Sequence, residues 1–149
     1  MKSEDICPLT KTETNMITLN DLTHSPTAKR YGIDNTPPEA ARAMLYILLK
    51  KIIRPIEEEW TEGRLTIVSG YRCPELNRLL EGQTHSHHIL GCAVDLYAGS
   101  KHANQRLRHL LLTMKKEGRL RATHIITDKQ LRWVHVAYVP SFNQKSAPR

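Results

Sequence analysis

Residues 84–97 read THSHHILGCAVDLY. His85, His87 and His88 fall within four positions, and Asp95 follows seven residues after the last of them. Imidazole nitrogen and carboxylate oxygen are the usual donors to a borderline metal such as zinc. The competing reading is a solvated loop of a basic protein that happens to be rich in histidine. A second histidine-bearing segment, RWVHVAYV at 132–139, puts His135 inside an apolar alternating run.

Those residues need elements to bring them together. Side chains alternate faces along a strand, so in AVDLY the residues Ala93, Asp95 and Tyr97 share one face while Val94 and Leu96 take the other. In the last segment Trp133, His135 and Ala137 oppose Val134, Val136 and Tyr138. Each prospective ligand therefore stands opposite an aliphatic face that would be buried. If the two strands are neighbours, Asp95 and His135 converge, and one loop histidine completes three protein ligands. Three N/O ligands with a fourth position open to water is the pattern of a catalytic zinc site. Alternation alone does not choose among His85, His87 and His88.

The rest of the chain supplies the scaffold. Thr36 reads as an N-cap with Pro37 and Pro38 in the first turn, and EAARAMLYILLKKIIRPIEEEW behind it has helical spacing. Pro55 kinks or divides that helix, and Gly63 marks its end. LTIVSGYR is a short strand running into a turn at Gly70, and PELNRLLEG a short helix stopped by Gly82. Residues 102–117 form an amphipathic helix ended by Gly118. THIIT and RWVHVAYV pair as a hairpin across DKQL. The expectation is an α+β single domain, a small mainly antiparallel sheet with helices packed on it, over residues 16–140. Residues 1–15 and 141–149 are polar, without periodicity, and read as disordered tails.

Composition excludes several classes. A chain of 149 residues builds one core, and no apolar run approaches a membrane span. The N-terminus lacks an apolar h-region, so the expectation is synthesis in the cytoplasm without a signal peptide. Three scattered cysteines, Cys7, Cys73 and Cys92, argue against a disulfide framework or a thiolate metal site. A net charge of +7 suits an anionic partner. With two tryptophans, five tyrosines and one phenylalanine, and basic residues spread along the chain, nothing points to specific nucleic-acid binding.

The combination Ser69-Gly70-Tyr71-Arg72, Leu76-Asn77, Ser86, His88, Gly91, Ala93, Asp95 and Trp133-Val134-His135 resembles the zinc D-Ala-D-Ala carboxypeptidases and peptidoglycan endopeptidases of the Hedgehog/DD-peptidase fold, their small phage-type members especially. The resemblance covers roughly residues 16–140. It implies a single-domain peptidase with one zinc per chain, held by His88, Asp95 and His135, that hydrolyses peptidoglycan stem peptides or cross-links of D-Ala-D-Ala or L-Ala-D-Glu type; a monomer is the separate expectation. It implies Arg72 beside a substrate carboxylate or polarised carbonyl, where a guanidinium can donate two hydrogen bonds at once. Ser86 contacts substrate or stabilises the loop, and His87 donates to substrate or stands exposed. Trp133 walls the pocket or packs in the core. The catalytic carboxylate departs from the pattern: Arg132 occupies one position where relatives carry an acid, and Asp128 falls where many small members carry glutamate. Asp128 is thus the candidate acid/base, or else a turn residue, with His124 in reserve. The alternative function is a non-hydrolytic zinc-bearing module that binds wall peptide or a protein partner. A phage or prophage lysis enzyme reaching the wall after release or delivery is the simplest setting.

Overall fold

The computed structural model describes residues 16–140; the two terminal segments read as tails, and Cys7 with them, lie outside the described residues. The elements run α1 (Leu19–Thr23), α2 (Pro26–Arg30), α3 (Glu39–Leu48), α4 (Arg54–Glu59), β1 (Thr66–Ser69), α5 (Pro74–Leu79), β2 (Ala93–Tyr97), α6 (Lys101–Lys116), β3 (His124–Thr127) and β4 (Val134–Ala137). The four strands form one antiparallel sheet in the order β1-β2-β4-β3. The class is α+β. No described helix is long and apolar enough to cross a membrane.

The aliphatic face of the sheet faces the helices. Val94, Leu96, Val134 and Val136 join Leu45 and Leu48 of α3, Ile56 of α4, and Leu107, Leu111 and Met114 of α6 in one buried cluster. Full burial of such side chains contributes roughly 1.5–3 kcal/mol each, so this cluster locks the sheet against the helices and fixes which strand face remains for chemistry.

One local prediction is corrected and another is given its detail. Helix α3 begins at Glu39 behind Pro38, which makes no side-chain cap, rather than at Thr36. A residue preceding proline is driven out of the helical region, and both Thr36 and Pro37 precede one. At Pro55 the long helix changes character: a π-helical turn, Leu49–Ile53, joins α3 to α4, which carries Pro55 in its first turn, with the Arg54 N–H bonding to the Leu49 carbonyl. The wider turn accommodates a proline that has no N–H to give and whose ring crowds the preceding turn. Helices α1 and α2 were not foreseen. Their caps are clear, Thr18 and Asp21 forming a reciprocal capping box and Ser25 accepting from the Ala28 N–H.

Candidate metal centre

The register of β2 against β4 places Asp95 directly opposite His135, and the alternation of both strands turns the pair to the face away from the helices. His135 Nδ1 lies 2.7 Å from Asp95 Oδ1. The third member comes from the loop before β2, where His88 Nε2 is 3.4 Å from Asp95 Oδ2. One ligand atom from each of His88, Asp95 and His135 lies within 4.8 Å of the others, and His88 and Asp95 are buried, at 4% and 5% exposure. His85 is exposed and outside this group.

The loop is built to aim His88. Its Nδ1 is 2.7 Å from the Gly70 carbonyl oxygen. A carbonyl only accepts, so Nδ1 carries the proton and Nε2 keeps the lone pair that faces Asp95. This is the outer hydrogen bond that orients metal-binding imidazoles. Gly70 itself is required, because a Cβ there would collide with the Leu22 carbonyl. Ser86 Oγ accepts from the His88 N–H, so its visible work is to hold the loop. Gly91 ends the loop at φ +77° against the Ala41 carbonyl, a place where a side chain would be both strained and obstructed.

Electrostatics fit a cation-accepting site. Burial pushes the Asp95 carboxyl up, yet the hydrogen bonds and charges of His135 and His88 bring it down to about 2. A carboxylate and two imidazoles so placed are N, N and O donors suited to zinc. Among the described residues no other group of three histidine, cysteine or acidic side chains converges this way. Cys73 caps α5 through its sulfur, and Cys92 is buried; neither joins the cluster.

Arg72 follows β1 and reaches the same cluster. Its Nη2 is 3.9 Å from Asp95 Oδ2, Nε donates to Ser69 Oγ at 3.0 Å and Nη1 to Asn77 Oδ1 at 3.1 Å. Asn77, 2% exposed, is anchored in turn by its Nδ2 donating to the Gln83 carbonyl. Burial lowers the Arg72 pKa, and Asp95 offsets part of this. The Asn77 and Ser69 contacts went unforeseen; Leu76-Asn77 was visible as a motif, but nothing in the residue types shows whom Asn77 meets.

The remaining residues lie around this centre in different states. His87 is half-buried rather than exposed, its ring stacked on His124 at 5.3 Å between centroids. Burial lowers its pKa, and His124, His135 and His88 add to the shift. Trp133 is half-buried, with the Arg132 guanidinium 4.5 Å above its ring. Asp128 accepts from the Arg132 backbone N–H at 2.7 Å through Oδ1 and from Arg132 Nε at 2.6 Å through Oδ2. Against a desolvation that raises it, those Arg132 contacts hold the Asp128 carboxyl below its ordinary value. The loop that carries it is pinned by buried Asn104 of α6, which donates to the Leu131 carbonyl and accepts from the Ala98 N–H. Asn104 escaped the sequence reading because a polar residue on an amphipathic helix looks solvated.

The model of a protein family described as Peptidase M15 matches residues 15–137, nearly the whole described chain. No curated protein matches it.

Proposed function

This chain belongs to the peptidase M15 family, a zinc-dependent one, and on that premise we propose that it hydrolyses peptide bonds in peptidoglycan stem peptides or cross-links, with D-Ala-D-Ala or L-Ala-D-Glu as the bond class. The observation that carries the reading is the convergence of buried His88 and Asp95 with half-buried His135, with the His88 ring oriented by the Gly70 carbonyl and the Arg72 guanidinium alongside. His88, Asp95 and His135 would hold one zinc per chain. Bound there, the metal would polarise a carbonyl oxygen as a Lewis acid and bring water's pKa to about 7.

The chain's own residues would do the rest. Arg72, fixed by Ser69 and Asn77, offers Nη2 toward the triad and would hold a substrate carbonyl or carboxylate. Asp128 would take the proton of the attacking water at a carboxylate oxygen and return it to the departing amine. As a carboxylate it is ionised at neutral pH, the form that accepts a proton. Trp133 would wall the cleft, and His87 would contact the bound peptide. In this reading the enzyme works as a monomer and meets its polymer at the wall after release or delivery.

A non-hydrolytic, peptide-binding role is favoured by one observation: both Asp128 oxygens already bond to Arg132. Digestion of purified peptidoglycan by zinc-loaded protein, with released fragments identified by mass, separates the two. The peptidase reading expects stem-peptide fragments from the parent and none from His88→Ala. A parent that holds zinc and binds wall peptide but releases nothing establishes the binding role instead.

A further inference from the structure

The strand order lays the cleft out as a row across the sheet. Arg72 follows β1, Asp95 lies on β2, His135 on β4, and β3 forms the far edge. Cross-strand partners share a face, so Ile126, opposite His135, and His124, opposite Ala137, stand on the side of the triad. Both are exposed, Ile126 at 52%. The His124 ring lies on that of His87, with 27° between their planes, although one comes from the edge strand and the other from the loop that carries His88. Neither imidazole makes a hydrogen bond to any described residue.

Two stacked imidazoles with free edges are a donor pair. A neutral imidazole carries one N–H, and two donors about this far apart can each take one oxygen of a single carboxylate. Hydrogen bonds to a charged acceptor are the stronger kind. Beside them the Ile126 side chain gives an apolar surface next to His135. A peptide laid along the row would meet the Arg72 cation at the β1 end and this donor pair at the β3 end.

We propose that His87 and His124, with Ile126 beside them on the triad's face of the sheet, form a carboxylate subsite that selects acidic peptides, those with a free carboxylate near the scissile bond. The proposal rests on the peptidase reading of the triad and adds the substrate feature it discriminates. It is tested with zinc-loaded protein and a synthetic L-Ala-D-Glu-L-Lys-D-Ala-D-Ala peptide. Two further copies carry the glutamate carboxylate or the C-terminal carboxylate as carboxamide. Binding is read by calorimetry, with fragments assayed in the same samples. One amidation should weaken binding to the parent about tenfold or more, as loss of a charged hydrogen bond does. That loss should vanish in His124→Phe, which keeps a stacking ring without the donor, and return in part in His124→Gln. Zinc content and Tm of the variants serve as controls for folding. A sensitivity that persists in His124→Phe belongs to Arg72 and overturns the subsite, as does a variant that weakens all three peptides equally. Discrimination without fragments leaves the subsite and sinks the peptidase reading. Fragments without His124-dependent discrimination do the reverse, and neither binding nor fragments sinks both.

Discussion

Arg72→Lys keeps the charge and removes the fork, so its consequences can be worked out contact by contact. The guanidinium spends Nε on Ser69, Nη1 on Asn77 and keeps Nη2 near Asp95. A single ammonium cannot occupy three diverging positions. Left near Asp95, it abandons the buried Asn77 Oδ1, and an unsatisfied buried acceptor costs about 1–3 kcal/mol. For a chain of this size each kcal/mol moves Tm by roughly 2–4 °C, so a fall of about 2–12 °C is expected in circular-dichroism melts. Zinc content should hold, since no proposed ligand changes. Cleavage of a stem peptide should fall about 10²–10³-fold, the usual loss on removing one preorganised donor from a transition state. A Tm drop with an undiminished rate would confine Arg72 to architecture. If neither changes, the reasoning about the fork is wrong.

Four further outcomes are expected. Gly82→Ala drives a Cβ into Asn77 Oδ1 and within 2.8 Å of Arg72 Nη1; cleavage should fall while zinc content, measured by elemental analysis, stays at that of the parent. His88→Ala should lose stoichiometric zinc and the rise in Tm that ligand binding gives, whereas His85→Ala, an exposed site, should keep both. Asp128→Asn should keep zinc and fold but lose about 10²–10⁴-fold in rate, with Asp128→Glu retaining or raising it; equal rates for parent and asparagine variant would make Asp128 a turn residue only. Burial pushes the Cys92 thiol from 9.0 up to about 11, so the native chain holds this proton more tightly than the unfolded one. Its contribution to stability is complete below about pH 9 and is lost as pH rises toward about 11; denaturant melts of the parent should fall across that window more steeply than those of Cys92→Ala.

The candidate metal triad was half legible from alternation. A carboxylate and an imidazole facing away from aliphatic neighbours on two short strands could be read from residue order alone. Their meeting could not, because β2 and β4 are separated by a sixteen-residue helix and another strand, and register between distant strands depends on the core that both bury. Choosing His88 over His85 and His87 came from spacing shared with a family; the physical reason is a hydrogen bond to Gly70, eighteen residues away. Short helices α1 and α2 were missed because five residues show no period, although the Thr18–Asp21 and Ser25–Pro26 pairs were start signals in plain sight.

What stayed hidden is positional, and it concentrates where function is decided. The Asp128 carboxylate is held by Arg132 within its own turn, and that turn is tied to the core by Asn104 rather than by the proposed metal ligands. Arg72 is set by Asn77 and Ser69, and His88 by Gly70 and Ser86. Asp128, Arg72 and His88 are therefore each placed by a partner from outside the triad. Metal binding and turnover should then be separable by substitution. Changes at Gly70 or Ser86 should act through the metal, changes at Asn77 or Gly82 through Arg72, and changes at Asn104 or Arg132 through Asp128. That separation follows from the sheet order, which spreads the groups along a row and leaves each to be buttressed by its own neighbouring loop or helix.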